Sequence, residues 1–260
     1  MSTPVRNATR IDEPKRTAWL PWLPTEDERL RVFCFPHAGG AASAYRSWMQ
    51  GELGHRATWL PVELPGRGTR RHELAIDEPN TLIEQLIDAL LPEMHPPFAF
   101  LGHSMGALIA AHLAHELQSR GKPVPVCVVV SGVCPPGHGE VKRFHDLPRA
   151  ALVKVLRELN GTPTEVLEND EMFDLMLPLL RADLALVHRL RHLPLSPLRS
   201  PMVAVSGTED ASAPLGAMAH WQDFTQADFA HLQLPGDHFF LYQQARAVQS
   251  HLLSRFTLPE

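Results

Sequence analysis

A single serine at the junction of a short apolar run and an Ala/Leu-rich stretch constrains this chain more than any other feature. In FAFLGHSMGALIAAHLAHEL, the run Phe98 to Leu101 reads as a buried strand and the segment after Ser104 as a closely packed helix. A residue at such a strand-to-helix turn is pushed into a strained backbone conformation, with its side chain presented at the tip. Glycine stands two places to either side, Gly102 and Gly106, so strand and helix can approach without side chains between them. The pattern G-x-S-x-G is a nucleophile elbow when strand precedes and helix follows. The bare pentapeptide also suits an ordinary Gly/Ser turn, so partner residues must decide.

The rest of the chain supplies the sheet. RLRVFCF (Arg29 to Phe35), ATWLPVEL (Ala57 to Leu64), PVCVVVSG (Pro125 to Gly132), MVAVSG (Met202 to Gly207) and AHLQLPG (Ala230 to Gly236) read as further strands. Helical patterns are predicted near Tyr45 to Gly51, Thr81 to Met94, from Ser104 to Arg120, Gly216 to Phe224 and Phe240 to Phe256. Such alternation means an α/β fold, a mostly parallel sheet flanked by helices. The rhythm breaks between Cys134 and Pro197, where only helical spacing appears: Leu152, Val155, Leu156 and Leu159, then Met172, Leu175, Met176 and Leu179. Pro178 should end or kink the second of these helices. We expect one domain over 28–260, a polar tail over 1–27 whose WLPWLP packs on the body, and an inserted helical lid over about 134–197 above the strand ends.

Composition excludes several classes. The 260 residues are 44% hydrophobic and 20% charged, with no apolar run long enough to span a membrane and no secretory h-region. Net charge of −5 gives no global attraction to nucleic acid. Cys34, Cys127 and Cys134 are too few and odd in number for a disulfide framework; Cys34 and Cys127, inside apolar strand-like runs, are expected as buried free thiols, in keeping with the cytoplasm. Fifteen histidines invite a metal reading, but HLAHE (His112 to Glu116) has its groups in the wrong order for a zinc helix. His188 and His192 lie on an Arg-rich helical stretch, so neither a metal nor a cofactor is expected.

A serine nucleophile requires a base, a carboxylate to orient it and two N–H groups for the oxyanion. In α/β-hydrolases the chain order is Ser, acid, His. SGTED and GDHFF each follow a predicted strand, which puts Asp210 and His238 on the same sheet edge as Ser104. Glu209 and Asp237 are the rival carboxylates, each adjacent to a chosen residue and each expected to point elsewhere. The oxyanion donors expected are the backbone N–H groups of Met105, at the positive end of the helix, and Ala38, in the FPHAGG turn.

Together FPHAGG, ELPGRGTR (Glu63 to Arg70), GHSMGA, LRELNGTPTEVLEND…LPLLRADLALV and GTED…GDHFF resemble the type II thioesterases, over about Leu30 to Leu253. The resemblance implies an α/β-hydrolase that works beside polyketide synthases and nonribosomal peptide synthetases. It would cleave acyl thioesters from the phosphopantetheine arm of acyl- or peptidyl-carrier proteins, clearing stalled or misprimed chains, as a monomer. Glu63 stands where relatives more often carry glutamine, a departure that bears on the entrance rather than the chemistry. Carrier proteins are usually acidic, so a local basic patch is expected, with Arg67, Arg70, Arg71, Arg181, Arg189 and Arg191 as candidates. A carboxylesterase or fatty-acyl thioesterase shares the chemistry, and a non-catalytic carrier-binding module shares the fold.

Overall fold

Runs of β-branched and aromatic residues without polar alternation make strands buried on both faces. The computed structural model describes residues 17–22, 29–95 and 97–255 and contains six strands. They are β1 (Arg31–Phe35), β2 (Thr58–Pro61), β3 (Phe98–His103), β4 (Val128–Ser131), β5 (Met202–Gly207) and β6 (Phe229–Leu234). All neighbours pair in parallel, in the order β2-β1-β3-β4-β5-β6. The first five strands are buried throughout, whereas β6, at the sheet edge, is half-exposed.

The helices among the described residues are α1 (Gly51–Gly54), α2 (Pro79–Leu90), α3 (Met105–Ser119), α4 (Arg149–Leu159), α5 (Thr164–Glu168), α6 (Asp170–Leu190), α7 (Leu215–Ala219), α8 (Phe240–Gln243) and α9 (Ala245–Arg255). Strand side chains alternate between two layers. Phe33 and Phe35 enter one core with α2 and α3, while Val32 and Cys34 enter the other with α9. All three cysteines are buried and free. Of WLPWLP, Leu20 is fully buried and the Arg70 guanidinium lies 4.0 Å over the Trp19 ring. Residues 1–16 and 23–28 of and beside the expected tail, and Phe256 of the expected last helix, lie outside the described residues.

Two sequence expectations shift. The helix predicted over Tyr45 to Gly51 is a 3-10 helix over Ala42–Met49, interrupted by an extended Gln50 before the short α1. Pro178 does not end α6, which runs from Asp170 to Leu190. Pro178 has no N–H to offer the Asp174 carbonyl, but both residues lie on the exposed face, where the carbonyl is open to solvent.

Between β4 and β5 the segment α4–α5–α6 buries a small core of its own, Leu152, Leu156, Leu167, Phe173 and Leu180. The last turns of α6 instead join the sheet-side core through Leu186 and Leu190. This insertion is therefore rooted in the body at one end and self-supporting at the other.

Candidate active site

The turn after β3 has the backbone its sequence predicts. Ser104 has φ 54° and ψ −115°, one of two described non-glycine residues with positive φ. Such a conformation costs about 1–3 kcal/mol and persists only where its surroundings impose it. Here the Ser104 N–H donates to the Ser131 carbonyl at 2.7 Å, tying the turn to β4. The flanking glycines have no room for side chains. A Cβ on Gly102 would fall 2.0 Å from the Gly106 carbonyl oxygen, and one on Gly106 would fall 2.0 Å from that of Phe35.

Asp210 and His238 meet as the chain order implies. The loops after β5 and β6 bring Asp210 Oδ2 within 2.9 Å of His238 Nδ1, in a pair almost wholly withdrawn from solvent. Ser212, which sequence reasoning missed, completes it. Its hydroxyl donates to Asp210 Oδ1 at 2.6 Å and lies 3.0 Å from His238 Nδ1, and its N–H donates to the same carboxylate oxygen at 3.0 Å. Asp-x-Ser is a short-range signal for such a turn. Burial alone would raise the Asp210 carboxyl, but the hydrogen bonds from His238 and Ser212 outweigh it and hold it below the usual value.

The rival carboxylates are used elsewhere. Glu209 is exposed. Asp237 accepts from the Phe239 N–H and from Asn160 Nδ2, both at 2.9 Å. The second contact pins the left-handed cap of α4 to the histidine loop.

Ser104, His238 and Ala38 line one cavity of about 430 Å³, roofed by apolar side chains that include Leu156, Met176 and Leu184. Among the described residues no hydrogen bond joins the Ser104 hydroxyl to His238. Such bonds are commonly long before substrate binds and shorten in the complex. Sheet order places the two expected N–H donors together, because β1 lies beside β3 with Phe35 opposite Gly102. The turn carrying Ala38 thus rises next to Ser104, and Met105 is the first residue of α3.

A clamp holds that turn. Asp183 of α6 is fully buried, receives both outer nitrogens of Arg67 at 2.8 Å and accepts from the Gly39 N–H at 2.6 Å. Arg67 also donates to the Gly40 carbonyl at 3.2 Å. Neither role was legible in the sequence, since nothing local links a loop arginine to an aspartate 116 residues away. Glu63 is likewise internal: its carboxylate accepts from the Ala42 and Thr69 N–H groups, so it braces loops rather than shaping an entrance.

Two histidines surround the centre. His37 is pushed down to about 4 by burial, then by the proximity of His238 and Arg67, and its Nδ1 lies 2.6 Å from the Tyr242 hydroxyl. His103, inside the elbow motif, is lowered well below the usual value by burial, then by His238 and His37. Its Nδ1 meets the Ser131 hydroxyl at 3.0 Å. Both are therefore neutral imidazoles at pH 7.

The expected basic patch is not formed by most of its candidates. Arg67 and Arg70 are buried against Asp183 and Glu73, Arg189 pairs with Asp77, and Arg181 donates to the His145 and Leu147 carbonyls. Arg191 is buried, and Arg71 alone of the six is exposed. In HLAHE, His112 commits Nε2 to the Leu190 carbonyl at 3.0 Å and Glu116 pairs with Arg120.

A family model described as a thioesterase domain matches residues 30–256. Linear gramicidin dehydrogenase LgrE of Brevibacillus parabrevis is 38% identical over 237 residues, 89% of this chain and 89% of its own. Among solved structures, the RedJ thioesterase of the prodiginine pathway in Streptomyces coelicolor aligns at a TM-score of 0.81 and 36% identity, covering 93% of this chain and 100% of RedJ. BorB, a type II thioesterase from the borrelidin biosynthetic cluster, aligns at 0.81 and 29% identity, over 93% of this chain and 99% of its own.

Proposed function

Because the chain belongs to the thioesterase family, we propose that it hydrolyses acyl thioesters on the phosphopantetheine arm of carrier proteins in polyketide or nonribosomal peptide assembly. The observation that carries this reading is the buried Asp210–His238 pair, opening with the strained Ser104 onto one apolar-roofed cavity.

Asp210 accepts a hydrogen bond from His238 Nδ1–H, which leaves Nε2 free as a base. Ser104 attacks the thioester carbonyl and its proton passes to Nε2. The tetrahedral oxyanion is met by the N–H groups of Ala38 and Met105. The C–S bond then breaks, and the pantetheine sulfur leaves with the proton from His238; a thiolate leaves readily, so this step is undemanding. Water, losing a proton to His238, attacks the acyl-serine; the bond to the Ser104 oxygen breaks, that oxygen takes the proton back from His238, and the free acid departs. As the imidazole becomes charged, Asp210 stabilises it, while Ser212 holds the carboxylate in place. The neighbouring imidazoles remain neutral and add no competing charge. The name of the gramicidin relative implies hydride transfer, which serine, imidazole and carboxylate do not perform by themselves.

The helical insertion acts as a lid over the cavity, and the protein works as a monomer in the cytoplasm. No helix among the described residues is long and apolar enough to cross a membrane. Carrier proteins loaded with different acyl groups, weighed by mass spectrometry before and after incubation, test the proposal. The acyl mass should disappear with wild type and persist with Ser104→Ala. A serine-directed phosphonate should add its mass at Ser104. Turnover of p-nitrophenyl esters with intact acyl-carriers would favour a carboxylesterase instead.

A further inference from the structure

Four arginines of the described chain are more than nine-tenths buried, and three of them face a carboxylate: Arg31 with Glu93, Arg67 with Asp183 and Arg70 with Glu73. The fourth, Arg191, does not. It caps the C-terminal end of α6 and forms part of the cavity wall. One outer nitrogen donates to the His138 carbonyl, while Nε is buried without any acceptor. The negative end of α6 favours a cation there but does not neutralise it. Burial pulls its pKa below the usual arginine value, and the guanidinium stays charged near neutral pH all the same. A buried cation without a counter-charge is costly, so proteins rarely keep one unless something supplies the anion.

Its setting points to the substrate. Ser104, Gly132, Val133, Cys134 and Arg191 line the same cavity, so Arg191 shares a chamber with the expected nucleophile. Glu140 and Lys142, also at this cavity, are exposed and lie 3.3 Å from each other, so neither leaves a net charge inside. Resting on the thioesterase reading, we propose that Arg191 is a specificity residue that binds a second, distal carboxylate on the acyl group of the thioester. Its planar fork suits two carboxylate oxygens. The phosphate of the carrier's arm has the same chemistry. It lies at the far end of the pantetheine, however, toward the carrier and solvent, whereas Arg191 lies inside the chamber.

The test compares succinyl-pantetheine with its neutral isostere, 4-methylpentanoyl-pantetheine, both without phosphate. Arg191→Met and Arg191→Lys are each first shown folded by thermal melting. The ratio of kcat/KM for the carboxylated over the neutral thioester should fall on the order of tenfold to a hundredfold in Arg191→Met. Arg191→Lys keeps the charge and loses the fork, so its ratio should fall less. If only the lysine variant folds, a fall in its ratio supports the proposal and an unchanged ratio overturns it. An equal change on both substrates makes Arg191 structural and overturns it. The same pair carrying the arm's phosphate separates the two anions. A loss that follows the phosphate, whatever the acyl group, assigns Arg191 to the arm and also overturns it. Amide analogues, with NH in place of the thioester sulfur, report binding by calorimetry without turnover. Wild type inert on both thioesters would refute the thioesterase reading, while preferential binding of the succinyl amide, lost in Arg191→Met, would still uphold the anion site.

Discussion

At the scale of single residues, the site separates groups that look interchangeable in the sequence. Glu209, Asp210 and Asp237 are carboxylates within a few residues of strand ends, yet only Asp210 meets the imidazole. Asp210→Asn replaces an acceptor of the Nδ1 proton by an amide that can present a donor, which favours the wrong tautomer. We expect thioester turnover to fall on the order of a hundredfold or more; in a serine-protease triad the same change costs about ten-thousand-fold. Glu209→Gln and Asp237→Asn should each stay within about tenfold, or roughly 1.4 kcal/mol of barrier. Ser212→Ala should fall between, since Asp210 keeps the Ser212 N–H and loses only the hydroxyl. Measuring kcat/KM for the four folded variants on one thioester checks that order. A crippled Glu209→Gln beside a normal Asp210→Asn would reject the acid assignment.

At the scale of elements, α6 couples roof and chemistry. Its Asp183 is the counter-ion of Arg67 and the acceptor for Gly39, next to the expected oxyanion donor Ala38. Asp183→Ala leaves a buried guanidinium unpaired and should cost about 3–5 kcal/mol of stability. Adding Arg67→Met removes that stranded charge, and most of the loss should return on denaturant unfolding. Turnover should stay low even so, because the Gly39 N–H still lacks its acceptor and the turn is released. A double variant that recovers stability and activity alike would show that the clamp serves folding alone. The same helix runs on through Pro178, where the sequence predicts an end or a kink. The proline falls on the exposed face, where the Asp174 carbonyl is open to solvent.

At the scale of the whole molecule, buried imidazoles make stability sensitive to acid. His37 and His112 are pushed down to about 4, from an ordinary value of 6.5, chiefly by burial, and burial lowers His103 as well. The unfolded chain therefore takes up these protons before the native state does. Their stabilising contribution is complete above about pH 6.5 and is lost as pH falls toward 4, on the order of 2 kcal/mol for each of His37 and His112 at pH 5. The melting temperature should drop steadily from pH 7.5 to 5, and His112→Gln, far from the chemistry, should flatten that slope. A melting temperature unchanged over this range would contradict the assignment. These imidazoles also mark the limit of sequence reading. What the sequence determined by itself is what local physics controls: apolar runs that must be strands, glycines that alone fit beside Ser104, and the strand-end positions of Asp210 and His238. Only the tertiary structure decided which charges are buried and with whom. Arg67 reads like any solvated arginine until the fold brings Asp183 to it, and Arg191 until the fold closes a cavity around it without a counter-ion among the described residues. A side chain's ionic partner depends on packing between segments distant in the chain, and neither periodicity nor spacing encodes that distance.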